Sequence, residues 1–256
     1  MQHFFKKSLG QHFLINKKIL KKIVSLDDIK DKIIFEIGPG RGALTKEILQ
    51  NNPKRLILIE KDKNLKTYLF KLQEKFEDIV SFIDDDVLNI NLKDFNYNKV
   101  KIISNLPYNI ASTLIIKLIK NYDIIESMVL MVQKEVAERL SAKVSTPFYS
   151  RLSVLIQLYA EVEKVFDVEP YNFNPRPKVE STVIKIMPYR KRKIHYDRLD
   201  NVLKISFRQR RKTIKNNLKT FFIDAEKKIL KCGIDPNSRP QDLKPIDFVK
   251  LSKVLI

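Results

Sequence analysis

Apolar residues in the first half of the chain fall into short runs rich in Ile and Val. Between these runs lie longer stretches in which apolar residues recur three and four apart. The runs at 33–37, 56–59, 80–83, 100–104 and 127–132 read as strands, and 43–51, 63–76 and 111–121 read as helices between them. Continuously apolar strands that alternate with helices predict a parallel sheet covered on both faces, an α/β doubly wound fold. Such a sheet binds ligands at the carboxyl ends of its strands. After residue 150 the order changes. Residues 151–158 have helical period, 160–168 and 181–187 read as strands, and a proline-rich bend at 170–178 joins them. Antiparallel strands closing the sheet account for that order. Beyond Pro188 and the basic run 190–193 the period is helical, at 199–207, 213–222 and 247–255. The pattern predicts two domains, α/β over 1–188 and all-helical over 189–256.

Charge sharpens this division. The 256 residues carry a net charge of +19, from 49 Lys+Arg against 30 Asp+Glu. Residues 189–256 hold 19 basic and 7 acidic residues, so about a quarter of the chain carries +12 of that total. A basic lobe points to a polyanionic partner more strongly than a high average does, because phosphate contacts release bound counterions. A Lys-rich proteome is the competing explanation of the average. One cysteine, Cys232, excludes an internal disulfide, and three scattered histidines (His3, His12, His195) give no zinc spacing. No apolar run approaches membrane-spanning length, and the first residues lack a signal-peptide core. The expectation is a soluble cytoplasmic protein with no membrane association, acting as a monomer.

Three of the chain's five glycines fall in Glu36-Ile37-Gly38-Pro39-Gly40-Arg41-Gly42, between a strand and a helix. Glycines there let the backbone approach a ligand closely. Gly38 and Gly40 also fit a dinucleotide fingerprint, and Glu60 lies about twenty residues on, at the end of the second strand. An acidic side chain at that point binds ribose hydroxyls in a nicotinamide cofactor or in S-adenosyl-L-methionine alike, so the motif leaves both open.

The fourth strand ends in Asn105-Leu106-Pro107-Tyr108, and this tetrapeptide separates the two. It has the Asn-Pro-Pro-Tyr-like form of methyltransferases that act on exocyclic amines. The N6 lone pair of adenine is delocalised into the ring, which makes the amine a poor nucleophile. The Asn105 side-chain carbonyl and the Leu106 backbone carbonyl can accept both N6 hydrogens and free that lone pair. Pro107 fixes the turn, and Tyr108 offers a face for an extruded base, a contact of about 1–3 kcal/mol. No hydride-transfer site accompanies it.

Other candidates are weighed against structural roles. Asp86, after the third strand, suits the cofactor's adenine amine, whereas Asp84 and Asp85 read as a solvated turn. Gln11 and His12 either reach the cofactor or belong to a packed N-terminal arm. Phe173, on the rigid loop Asn172-Phe173-Asn174-Pro175-Arg176-Pro177, either covers the target base or plugs the core. Arg208, Arg210, Arg211 and Lys212 form a basic cluster, read as RNA phosphate contacts in preference to a solvated face.

KSLGQHFL, EIGPGRGALT, the strand-ending IE, DDDVL, NLPYNI, FNPRPKVEST and FRQRRKTIKNNL occur in one order over nearly the full chain. In these the chain resembles the KsgA-type ribosomal RNA adenine dimethyltransferases. The resemblance implies a Rossmann-like S-adenosylmethionine-dependent methyltransferase domain followed by a small helical domain. It implies transfer of two methyls to N6 of each of two adjacent adenosines in the hairpin loop near the 3′ end of small-subunit rRNA, on a precursor of the small ribosomal subunit. By the same resemblance His12, Leu14, Gly38, Glu60, Asp86 and Asn105 contact the cofactor. Asn105 to Tyr108 hold the target adenine, and Phe173 lies beside it. The chain departs from the family at His12, where many members have Asn, and at Asp85, where Gly is common. The alternatives are a large-subunit rRNA dimethyltransferase of the macrolide-resistance type and a mainly non-catalytic ribosome assembly factor.

Overall fold

A computed structural model describes residues 12–189 and 194–255. The chain runs β1 (Phe13–Leu14), α1 (Lys17–Val24), β2 (Ile33–Ile37), α2 (Ala43–Leu49), β3 (Arg55–Ile59), α3 (Lys66–Lys75), β4 (Val80–Ile83), β5 (Val100–Asn105), α4 (Ala111–Ile119), β6 (Ile125–Gln133), α5 (Lys134–Leu140), α6 (Arg151–Tyr159), β7 (Ala160–Val168), β8 (Phe173–Asn174), β9 (Ser181–Pro188), α7 (Tyr196–Ser206), α8 (Ile214–Leu218), α9 (Ala225–Lys231) and α10 (Pro245–Leu255). It divides into two compact units. The first comprises Met1–Ala137 and Val162–Pro188, the second Glu138–Glu161 and Tyr189–Ile256.

The first unit holds a seven-stranded sheet in the order β4-β3-β2-β5-β6-β9-β7. Strands β4, β3, β2, β5 and β6 are mutually parallel, and β9 runs antiparallel to β6. The apolar runs explain the geometry. Ile34, Phe35, Leu56, Leu58, Ile102, Ile103, Val129 and Leu130 are fully buried, as side chains on both faces of a covered parallel sheet must be. Order reverses between β2 and β5, so the crevice at their carboxyl ends is where this topology places a ligand. A two-residue pairing of β1 with β8 crosses the same edge, with Leu14 opposite Phe173.

At the amino ends of the strands the sheet carries a buried charge cluster. Lys101 of β5 donates to Asp27 at 2.7 Å, and both side chains are below one-tenth exposed. Ser127 of β6 donates to the other Asp27 oxygen, and Lys185 of β9 lies 3.9 Å away. The Asp27 carboxyl is desolvated, yet these donors outweigh the cost and hold it below the usual carboxylate value. One acid loop thereby clamps three neighbouring strands.

The second unit differs from the sequence-based division at 188/189 by taking in Glu138–Glu161. The reason is packing. Tyr149 is fully buried and donates to the Leu243 carbonyl at 2.9 Å. Its ring meets Phe207, which stacks at a tilt on Phe248. Arg151 of α6 pairs with Asp200 of α7. The helix expected over 213–222 ends at Leu218, and α9 begins directly after Asp224, whose φ is +54°.

Asp27→Ala would leave the Lys101 ammonium buried without a counter-charge, a loss of about 3–5 kcal/mol. Denaturant unfolding should show that loss for Asp27→Ala. A variant with unchanged stability would mean that the ammonium reaches water in the folded protein.

Candidate active site

The carboxyl ends of β2, β3 and β5 bound an open cleft, the place where such a sheet receives a ligand. Gly38, Gly40, Glu60, Asp86, His12 and the whole of Asn105 to Tyr108 line it, so residues distant in sequence converge at one opening.

The glycine loop forms the floor. Gly38 donates to the Ile59 carbonyl at 2.9 Å, tying the loop to the end of β3. Gly40 has φ +57°, and an added Cβ would lie 2.4 Å from Cε1 of Phe13. Only glycine lets that ring settle on the loop, and the Arg41 guanidinium lies 5.7 Å from the ring centroid. Phe13 had not been singled out from sequence. Its one signal was its place beside Gln11 and His12.

Acidic side chains frame the cleft at two heights. Glu60 Oε1 accepts the amides of Asp62 (2.9 Å) and Lys61 (3.0 Å), and Oε2 accepts that of Gly40 at 3.4 Å. Burial nevertheless raises its pKa above the usual carboxylate value. Asp86 accepts the Leu88 amide with Oδ1 and the Lys61 ammonium with Oδ2, both at 2.9 Å. Desolvation of its carboxyl is outweighed by these donors, and its pKa is lowered. Lys117 of α4 donates to the carbonyls of Val87 and Leu88, holding the loop that follows Asp86. Asp85 also lines the cleft, but its carboxylate is engaged locally by the Asp86 amide and by Asn89.

Asn105, at the end of β5, is set by its neighbours. Its side-chain amide nitrogen donates to the His12 carbonyl at 2.9 Å. A carbonyl only accepts, so the nitrogen must face it, and the Asn105 oxygen is left to accept from a ligand. Leu106 donates its amide to the Met131 carbonyl, and Ser104 donates its hydroxyl to the Ile37 carbonyl at 2.5 Å, which locks β5 to its neighbours on both sides. His12 stacks on Tyr108 with centroids 5.2 Å apart, and its Nδ1 lies 2.8 Å from the Pro175 carbonyl. One face of Tyr108 is thus covered within the protein. The Tyr108 hydroxyl is 2.5 Å from the Ser181 hydroxyl at the start of β9, so Ser181 positions a ring that sequence alone assigned to no partner.

Other expected site residues lie elsewhere. Gln11 falls outside the described residues. Leu14 is buried and lines a smaller cavity that shares Gly38 and Asn105 with the cleft. Phe173 is 3% exposed, packs with Leu14, Leu20 and Val168, and is not among the residues that line the cleft. Pairing of β8 with β1 sets that orientation. Arg208, Arg210, Arg211 and Lys212 are exposed in the second unit. One terminal nitrogen of Arg210 is already engaged, donating to the Pro147 and Tyr149 carbonyls at 2.8 and 3.0 Å. Asn217 holds this basic loop through bonds to the backbone of Gln209 and Thr213. Among the described residues no group of His, Cys, Asp and Glu could hold a metal, and no helix is long and apolar enough to cross a membrane.

A protein-family model described as ribosomal RNA adenine dimethylase matches residues 2–256. The chain belongs to the ribosomal RNA adenine dimethylase family. The dimethylase is 40% identical over 254 residues to ribosomal RNA small subunit methyltransferase A of Pelagibacter ubique, covering 97% of this chain and 95% of the relative. It is 42% identical over 253 residues to the protein of the same name from Ehrlichia chaffeensis, covering 98% and 96%. Among solved structures it resembles a dimethyladenosine transferase from Plasmodium falciparum, with TM-score 0.77, 30% identity, and coverage of 94% and 96%. It also shares its fold with the 23S rRNA methyltransferase ErmE, with TM-score 0.70, 20% identity, and coverage of 95% and 99%. The α/β doubly wound, Rossmann-like fold expected from the sequence is therefore the fold of the dimethylase.

Glu36 of the glycine motif is a residue that the sequence reading left without a role. It is 2% exposed, Oε2 has no hydrogen-bond partner, and it lines the smaller cavity. Burial lifts its carboxyl from 4.5 to about 8. The neighbouring charge of Glu60 adds to this, and Thr45 opposes it. A carboxyl raised on folding stabilises the folded state at low pH, and that stability is lost as pH rises through the folded value. The melting temperature of the dimethylase should therefore fall between about pH 5 and about pH 8 more steeply than that of Glu36→Gln. Equal slopes would show Glu36 ionised throughout.

Proposed function

We propose that the dimethylase uses S-adenosyl-L-methionine to place two methyl groups on N6 of each of two adjacent adenosines in the 3′-terminal hairpin loop of small-subunit (16S) rRNA. It acts on a precursor of the small ribosomal subunit, as a monomer in the cytoplasm, and so takes part in small-subunit biogenesis. The small-subunit reading is preferred because relatives at 40% and 42% identity over nearly the whole chain carry that name. The likeness to ErmE, at 20% identity, speaks for the fold alone.

The cleft suits the cofactor. Two buried or nearly buried carboxyls, Glu36 and Glu60, stand under a glycine loop whose backbone permits close approach. They favour a ligand that brings positive charge and hydroxyls. Glu60 would hold the ribose, Asp86 the adenine amine, and Gly38, His12 and the Leu14 segment the methionine end. When bound, this cofactor supplies a methyl group already activated by a sulfonium.

The observation that carries the mechanism is the anchored Asn105 amide. With its nitrogen committed to the His12 carbonyl, its oxygen is fixed as an acceptor. The Asn105 oxygen and the Leu106 carbonyl take the two N6 hydrogens of the target adenine. This turns the amine lone pair out of conjugation and holds it at the reaction centre. Pro107 keeps the turn rigid. The uncovered face of Tyr108 receives the extruded base, since His12 occupies the other. No side chain need act as a strong base, because N6 becomes acidic on alkylation. Positioning and a preorganised acceptor supply the rate.

Asn105→Ala should bind unmethylated small subunits as the native protein does, yet transfer labelled methyl groups at least about a hundredfold more slowly. Native rates in that variant would refute the mechanism. Arg211→Gln and Lys212→Gln should each reduce the salt dependence of subunit binding by about one unit of log–log slope. Unchanged slopes would place both side chains in solvent. Arg210 is unsuited to this test, because its loss also removes two bonds of the fold.

A further inference from the structure

Residues 201–223 of the second unit contain seven Lys and Arg and no Asp or Glu. At the end of this stretch the chain presents apolar side chains outward. Phe221 is 48% exposed and Ile223 86% exposed, while Phe222 between them turns partly inward. Large apolar groups usually leave water where a neighbour can cover them, and here charged residues adjoin them. The Arg208 guanidinium lies 5.5 Å from the centre of the Phe221 ring. Lys219 is exposed two residues before it.

An aromatic face beside a guanidinium, within a surface of one charge sign, is the arrangement that receives an unpaired nucleobase. The ring stacks on the base, the guanidinium stacks or pairs with the adjoining phosphate, and flanking lysines follow the backbone. We propose that Phe221, with Arg208 beside it and Ile223 as an apolar flank, forms a platform for an unpaired base of RNA, separate from the methyl-transfer cleft. The occupant is RNA because residues 201–223 around the ring carry seven cations and no carboxylate, and the acids that follow, Asp224 and Glu226, lie beside Lys227 and Lys215. This proposal rests on the reading that the dimethylase acts on ribosomal RNA. It adds a base contact to the phosphate contacts proposed above for Arg211 and Lys212. Stacking is indifferent to sequence, so the platform supplies affinity and register, and the cleft supplies the choice of adenine.

The chain contains no tryptophan, so Phe221→Trp introduces a single tryptophan at the exposed site, excited at wavelengths where the nine tyrosines do not absorb. Its emission should be quenched by unmethylated small subunits and, at low salt, by a short single-stranded oligoadenylate. Phe221→Ala should bind small subunits about tenfold more weakly, as expected for one lost stack, with the salt slope of the native protein, since the lost contact carries no charge. Arg208→Gln should lose both affinity and slope. Circular dichroism of each variant would establish that it is folded. Unchanged emission on saturation, together with native affinity in Phe221→Ala, would overturn the proposal. So would a blue shift without quenching, on subunits or on anionic phospholipid vesicles, which would assign the face to a protein or a lipid surface. Methyl transfer by the native protein tests the functional reading separately. If that transfer fails, quenching by oligoadenylate still decides the platform.

Discussion

The hydrogen bond from the Asn105 amide to the His12 carbonyl joins the end of the central strand to a segment far from it in sequence. Much of the cleft depends on this bond. It fixes which end of the Asn105 side chain can accept, and it holds the His12 segment across the strand ends. From there His12 covers one face of Tyr108 and Phe13 lies on Gly40. The β1–β8 pairing sustains the same arrangement from the other side, and the carbonyl of Pro175 meets the His12 ring. Three segments, near residues 13, 105 and 174, therefore set one another's position. A catalytic acceptor needs such over-determination, because an amide free to rotate would present a donor to the adenine amine half of the time.

Electrostatics impose a second constraint. Burial beneath the glycine loop disfavours ionisation of both Glu36 and Glu60, and a neighbouring carboxylate adds to it in each case, Glu60 for Glu36 and Asp62 for Glu60. A cation beside these carboxyls would favour their ionised forms. The methyl donor carries a sulfonium and loses that charge when its methyl leaves. Asp86 stands apart from this pair, because its charge is already balanced by Lys61.

The sheet was legible from sequence because its strands are buried on both faces, and unbroken apolar runs such as 33–37 and 56–59 have few other uses. The glycine motif and the Asn105–Tyr108 tetrapeptide were legible for a related reason. Their chemistry lies in residue types at fixed local spacing. What could not be read was the pairing of side chains across the fold. Phe173 has the same hydrophobicity at a surface or in a core, and its burial beside Leu14 depends on the two-residue pairing with β1, which residue type does not announce. Arg210 reads as one member of a charge run until two carbonyls some sixty residues earlier are placed within its reach. The short α8 shows a further limit. Helical period continues past residue 218, but a left-handed Asp224 and an outward-facing Phe221 end the packed face first.

Arg210 also shows how the second unit differs in kind from the first. The cleft of the first unit is preorganised by buried bonds, since its chemistry tolerates little error in position. An RNA surface tolerates more, because phosphate attraction acts over several ångströms and is not directional. Yet residues 208–212 are not a loose tether. Asn217, 5% exposed, satisfies the backbone of the loop from beneath, and Arg210 ties it to the segment before α6. Spending one arginine of the cluster on the fold leaves its neighbours Arg208, Arg211 and Lys212 projecting from a fixed base. Side chains presented from a rigid base lose less entropy on meeting any partner.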